Sequence, residues 1–107
     1  MTADEFRAIA LAIPGAEERS HMNHPDFRVS GKIFATLGPN LEWGMAKLTP
    51  DQQKDLIARS PASVRPVPGK WGESGATQII LSSADAETAG EALTLAWHNI
   101  VDKSTKS

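Results

Sequence analysis

The chain contains no cysteine and no long apolar segment, and both absences limit what it can be. Without cysteine it can form neither disulfide bridges nor thiolate metal sites, and a reducing cytoplasm is permitted. The N-terminal segment MTADEFRAIALAI is acidic where an export signal is basic, and its apolar run is short and interrupted. We therefore expect a cytoplasmic protein that is neither exported nor membrane-bound.

The composition is that of one ordinary folded domain. The 107 residues are enough for a single hydrophobic core and too few for two. A hydrophobic content of 40% and a charged content of 22% exclude a disordered or fibrous chain. We expect residues 1–107 to form one monomeric domain, with residues 104–107 as a frayed tail.

Basic residues are concentrated in the middle of an acidic chain. The whole chain has a net charge of −2, which does not favour a dedicated nucleic-acid binder. Between Arg28 and Trp71, however, seven basic residues stand against three acidic ones, a local net charge of +4 that leaves −6 for the flanks. Such a division permits a basic surface on an acidic protein, and it also fits solvated basic side chains on a helix.

Three helices are predicted from capping residues and apolar stripes. The first covers about Thr2–Ile13 and begins with the capping-box spacing of Thr2 and Glu5. The second is capped by Thr49, has a proline in its first turn, and ends near Ser60. The third follows a cap at position 83 or 85 and carries a long apolar stripe.

Most of the predicted strands lie between the first two helices. The predicted strands are Phe27–Val29, Ile33–Leu37 and Leu41–Leu48, with Glu17–Ser20 as a candidate edge strand and Thr77–Leu81 after the second helix. Because the strands cluster rather than alternating with helices, we expect the α+β class, with a single antiparallel sheet and helices on one face.

The sequence allows two registers for the first hairpin. A two-residue turn pairs Val29 with Lys32 and places Phe27 and Phe34 on one face. A three-residue turn pairs Val29 with Ile33 instead and moves Phe34 to the other face. A slip of one residue therefore decides which side chains meet solvent.

Short motifs along nearly the whole chain resemble those of one family. They are LAIPG with Glu17-Glu18, HPDFRV, GKIFA, LTP with Gln52-Gln53, Arg65-Pro66, Lys70-Trp71-Gly72 and Trp97. Together they are similar to the motifs of the MmcQ/YjbR family of small bacterial domains. The resemblance implies the order α-β(3)-α-β(2)-α, which agrees with the elements above. It also implies DNA binding, an activity inferred for the family from its likeness to a double-wing DNA-binding domain, although a fold does not by itself fix a function.

The resemblance and the basic block together predict a DNA-binding surface. Cationic side chains would contact phosphates, and a tryptophan would stack on bases or wedge between them. The candidates are Arg28, Lys32, Lys47, Arg65, Lys70 and Trp71, the last two in a glycine-punctuated loop of residues 69–75. DNA is thus the first expected partner.

A second expectation concerns the face of the sheet away from the helices. The strand Ile33–Leu37 is apolar on both sides, so that face is either covered or left to bind a partner. We expect Phe34 and Trp43 to lie there and to bind a protein or a small ligand.

Neither a metal site nor a catalytic site is predicted. His21 and His24 are weak metal candidates, because Pro25 favours an extended conformation at His24 and no fourth strong ligand is nearby. No serine stands in a nucleophile elbow, and the carboxylates of Glu17 and Glu18 point to opposite sides of an extended segment. We expect a non-enzymatic protein without a cofactor.

Overall fold

The computed structural model describes residues 1–21, 24–38 and 40–105, without the side chains of residues 21 and 103–105. Four helices and six strands lie in this part of the chain. In chain order they are α1 (Ala3–Leu11), β1 (Glu17–His21), β2 (His24–Val29), β3 (Lys32–Leu37), β4 (Trp43–Lys47), α2 (Pro50–Arg59), β5 (Val64–Pro66), α3 (Lys70–Glu73), β6 (Ala76–Ile80) and α4 (Ala86–Thr105). No helix within these ranges is long and apolar enough to cross a membrane.

The predicted α+β class is confirmed, whereas the order of elements differs in two places. Four strands precede α2, one more than the order that the resemblance implies, because the candidate edge strand Glu17–Ser20 forms as β1; its sequence EERSH has no apolar side chain for a hydrophobic pattern to detect. One turn of helix, α3, lies within the predicted glycine-punctuated loop. At the C-terminus, α4 extends to Thr105, two residues into the segment expected to be frayed, and residues 106–107 lie outside the described residues.

The six strands form one antiparallel sheet. Their order is β1-β2-β3-β4-β6-β5, so β1 and β5 are the edge strands. Pro66 in β5 has no N–H to donate, and an edge strand tolerates this because one of its sides needs no ladder bond.

Helices α1, α2 and α4 cover one face of the sheet. Phe6 of α1 packs against Phe27 of β2 with ring centroids 6.1 Å apart, and both side chains are fully buried. Gly44 of β4 permits this packing, because a Cβ at that position would lie 2.5 Å from the Phe6 ring. Arg59 of α2 donates to Glu91 of α4 at 2.9 Å, and this bond ties the two helices together.

The hairpin between β2 and β3 has the two-residue turn. Val29 pairs with Lys32, and Ser30 and Gly31 have φ values of 54° and 79°. Two successive positive φ values are typical of the tight turns whose twist matches that of the flanking strands. Of the two registers that the sequence allows, the structure therefore has the first.

A β-bulge follows this turn and changes the pairing beyond it. Arg28 lies opposite Ile33, but Phe27 lies opposite Ala35, so Phe34 is the extra residue on β3. Such an insertion bends the strand and re-aims a side chain. Phe34 and Ala35 are both fully buried as a result.

The other face of the sheet is covered by no helix in the described part of the chain. Cross-strand partners share a face, and the residues next to Phe27 and Gly44 along their strands point away from α1. The register therefore defines a row across the open face that consists of Arg19, Asp26, Thr36, Met45, Gln78 and Arg65. Three members of the row are buried, although no helix lies over them: Asp26, Met45 and Gln78.

Candidate nucleic-acid interface

A cleft of about 1120 Å³ opens at one end of the sheet. One wall is the tip of the β2–β3 hairpin, and the other is formed by the end of β4 and the loop around α3. The C-terminal half of α4 forms its floor. We call this feature the basic cleft; the side chains that give it its character are Arg28, Lys32, Lys47, Lys70, Trp71 and Asn99.

Strand geometry opens the basic cleft. β3 and β4 pair at residues 35–37 and 44–46, so Lys32 and Lys47 stand on strand ends that extend beyond this ladder. The bulge at Phe34 bends β3 where the pairing stops. Lys70 begins α3, across from the hairpin tip. Three cations from separate elements thus face one space.

The basic cleft is positively charged, although the whole chain has a net charge of −2. Four of the described lining residues are basic and one, Asp102, is acidic. Lys32, Lys47 and Lys70 are exposed, and none of them forms a salt bridge within the described part of the chain. The three ammonium groups are therefore available to an anionic ligand.

Trp71 is the most exposed of the large apolar side chains in the described chain, at 64% of its surface. The Nζ atom of Lys47 lies 5.6 Å from the centroid of its ring, within the range of a cation–π contact. The indole and the ammonium group together present a flat apolar surface beside a positive charge. That combination suits a stacked base next to a phosphate.

The loop that carries Lys70 and Trp71 is fixed by hydrogen bonds from α2 and by close backbone packing. Gln53 of α2 is buried, and its side-chain amide donates to the carbonyls of Gly72 and Ala76, both at 2.9 Å. The backbone of Gly72 lies so close to Val67 that a Cβ would be 1.8 Å from the Val67 carbonyl oxygen. Trp71 is thus presented by a packed turn and not by a loose loop.

Asn99 of α4 joins the floor of the basic cleft to its wall. Its side-chain amide donates to the Lys47 carbonyl at 3.2 Å and to Oε1 of Gln52 at 2.8 Å. Gln52 returns a bond to Oδ1 of Asn99 at 3.2 Å. These bonds fix the end of β4, and with it the starting point of the Lys47 side chain.

Arg28 is held by a carboxylate of its own strand. Its Nε and Nη2 atoms donate to Oδ1 and Oδ2 of Asp26 at 2.9 and 3.2 Å, a geometry set by two residues that lie on the same face of β2. These hydrogen bonds raise the pKa of the Arg28 guanidinium above its ordinary value. The two bonds to Asp26 use two of the five N–H groups of the Arg28 guanidinium, and the other three have no partner among the described residues.

Arg65 does not join the other predicted DNA-binding residues. It lies on β5, at the far edge of the sheet, where its Nε donates to Oε1 of Gln78 at 2.9 Å. The structure thus brings together five of the six candidates. Sequence reasoning missed Asn99 and Gln53, and only the position of Gln53 within a helix stripe could have hinted at its burial.

A second cavity, of about 550 Å³, lies on the open face beside Trp43. We call it the Trp43 pocket; its side chains include His24, Asp26, Arg28, Ile33, Thr36 and Trp43. The ring of Trp43 packs over Gly38, where a Cβ would lie 2.5 Å from it. The tryptophan is therefore backed on one side and half-buried.

Phe34 corrects the expectation for the open face. We expected it beside Trp43, but its side chain is fully buried in the core. The two-residue turn is the reason, because it places Phe34 on the same face of the sheet as Phe27, and α1 packs on that face. Phe34 cannot contact a partner in this fold.

The two histidines give no further support for a metal site. His24 is half-buried beside Trp43, whereas the side chain of His21 lies outside the described residues. Within the described ranges no three His, Asp or Glu side chains form a group that could hold a metal ion.

Comparisons with known proteins give a family and a fold. The model of the YjbR family matches residues 11–99. Among solved structures, the crystal structure of Deinococcus radiodurans protein DR2400, which carries the family domain DUF419, aligns with a TM-score of 0.77 at 18% identity. The alignment covers 96% of this chain and 80% of that chain, and at this identity it shows a shared fold alone. No curated protein matches the sequence.

Proposed function

The chain belongs to the YjbR family, as its motifs indicate, and from the basic cleft of this fold we propose that it binds nucleic acid. The observation that carries the proposal is the convergence of Lys32, Lys47 and Lys70 beside the exposed ring of Trp71. Proteins that bind nucleic acid without base-specific contacts combine a positive groove with aromatic stacking surfaces. DNA is the partner that we propose first.

The net charge of −2 is compatible with this proposal. Part of the acidic surface is paired with arginine, since Arg7 and Arg59 each pair with two carboxylates. The basic cleft contains a single described carboxylate, on Asp102. Because salt screens charges beyond about 10 Å at 0.1 M ionic strength, a phosphate in the cleft responds mainly to the nearby lysines.

We propose that the protein acts by binding and not by catalysis. The polar groups around the cleft have structural tasks: the Thr49 hydroxyl accepts from the Gln52 N–H as the cap of α2, and Asn99 bonds the end of β4. A cytoplasmic location and a monomeric state stay predictions. So does a role for the open face in binding a protein or a small ligand.

The proposal predicts measurable, salt-dependent binding by fluorescence anisotropy with a labelled oligonucleotide. We expect a Kd of about 1–100 µM for nonspecific binding near physiological salt. If three or four phosphates are neutralised, the Kd should rise about 20- to 150-fold between about 50 and 200 mM salt. Lys47→Ala and Lys70→Ala should each weaken binding and make the slope of log K against log salt shallower by about 0.7–0.9.

Lys54→Ala is the matched control for these variants. Lys54 is exposed on α2 outside the basic cleft, so its removal changes the net charge equally without removing a proposed contact. Its slope should equal that of the unmodified protein. Equal losses for Lys54→Ala and Lys47→Ala would mean that the cleft is not the site, and no binding at either salt concentration would reject nucleic-acid binding.

A further inference from the structure

The basic cleft and the Trp43 pocket meet at two residues. Arg28 and Ile33 line both cavities, so one continuous surface passes from the lysines at the end of the sheet onto its open face. Arg28 stands at the junction with its guanidinium already oriented by Asp26. The two cavities are therefore adjacent, and a ligand held in the cleft can reach the pocket past Arg28 and Ile33.

The walls of the Trp43 pocket suit a flat heterocycle. The Trp43 ring packs over Gly38 and lines the cavity, and Ile33 supplies a further apolar surface. The volume of about 550 Å³ falls within the ~300–1,000 Å³ range of small-molecule sites. Stacking on an indole is a general way to hold a base, since every base has a π face.

Polar groups at the pocket also match the edge of a base. Asp26 is 3% exposed, and each of its two oxygens accepts one bond from Arg28, which leaves further lone pairs on both. Arg28 keeps unused N–H donors, and the Thr36 hydroxyl can donate or accept. Donors and acceptors side by side are what the hydrogen-bonding edge of a nucleobase requires.

We propose that the Trp43 pocket takes one unpaired base of a strand whose phosphates lie in the basic cleft. The protein is then a binder of single-stranded DNA. This proposal rests on nucleic-acid binding by the cleft and adds the form of the ligand. In a duplex the bases are stacked and paired, and one would have to flip out before it could enter the pocket.

The test compares one labelled DNA sequence as a single strand, as a duplex, and as a single strand that lacks bases at central positions. The unmodified protein should bind the intact strand at least about 5-fold more tightly than the duplex, because one stacked base contributes about 5- to 150-fold in affinity. The strand with abasic positions should lose that advantage. This arm needs no variant and so cannot fail through misfolding.

Variants then test whether the preference for the intact single strand arises at the Trp43 pocket. Trp43→Ala should lower affinity for the intact strand to the level of the duplex and leave the strand with abasic positions little changed. Thr36→Val, which removes a hydroxyl at similar volume, should give a smaller loss in the same direction. Leu11→Ala, an exposed apolar residue of α1 outside both cavities, is the control and should change neither affinity.

The outcomes separate the two proposals. Binding that is equal for the intact strand, the duplex and the strand with abasic positions would overturn the pocket and leave the basic cleft intact. Absence of binding to all three ligands would overturn nucleic-acid binding itself.

Discussion

Replacing Phe34 with alanine is expected to lower the free energy of unfolding by about 3–5 kcal/mol, the usual loss for a buried phenylalanine. The side chain is fully buried in the core that α1 and α4 form with the sheet. Truncation removes its apolar contacts and leaves a space that neighbours fill only in part. Equilibrium unfolding in urea measures the change, with the slope against denaturant checked for two-state behaviour.

Trp71→Ala is the control, since it removes a larger aromatic ring that is mostly exposed. It should change stability by at most about 0.5 kcal/mol. In DNA binding we expect the opposite pattern: Trp71→Ala should weaken the complex, whereas the conservative variant Phe34→Leu should not. If Phe34→Ala were as stable as the unmodified protein and bound DNA less tightly, Phe34 would lie on the ligand-binding face and not in the core.

Replacing Gly75 with alanine should destabilise the protein by about 4 kcal/mol. Its φ of 114° places an alanine in a region that costs about 1–3 kcal/mol. The new Cβ would also lie 1.9 Å from the carbonyl oxygen of Leu48, and relieving that overlap costs a further ~1–3 kcal/mol. Leu48 donates its N–H to the carbonyl of Gly75 at 3.2 Å, so the overlap also strains this contact at the wall of the basic cleft. Thermal or urea unfolding checks the result.

Gly69→Ala separates the two contributions. Gly69 has a φ of 86°, but a Cβ added there would meet no atom of the described residues within 4 Å beyond its chain neighbours, so only backbone strain applies. We expect a loss of about 1–2 kcal/mol. If both variants lost the same stability, the close approach of Gly75 to Leu48 would not exist as described.

Local signals made the three longer helices, α1, α2 and α4, predictable. Both capping boxes form: Thr2 accepts from the Glu5 N–H at 3.1 Å, and Thr49 accepts from the Gln52 N–H at 3.2 Å. Capping depends on residues three positions apart, so no knowledge of the rest of the chain is needed. The clustering of strands was likewise enough to predict the class of the fold.

The bulge at Phe34 could not be predicted, because it depends on how β2 and β3 meet the rest of the sheet. Simple alternation from the two-residue turn places Phe34 on the covered face, where it lies, but it would place Ala35 on the open face. Because of the bulge, Ala35 lies opposite Phe27 and is buried in the core instead. β1 was predicted only as a candidate strand, because a polar edge strand has no hydrophobic periodicity.

The site was predictable in its residue types and not in its shape. The basic block marked the cations, but which of them converge depends on the order of the strands: Lys32 and Lys47 meet at one end, and Arg65 lies on the far edge. The bidentate pair of Asp26 and Arg28 requires both residues on one face of a strand. The junction of the two cavities at Arg28 follows only from the assembled sheet.

The most direct test of nucleic-acid binding through the basic cleft is a map of NMR chemical-shift changes on titration with a single-stranded oligonucleotide. The account predicts the largest changes at Lys32, Lys47, Lys70 and the indole of Trp71, with little change along α1. Changes that are absent, or that lie on α1 and away from the cleft, would contradict it.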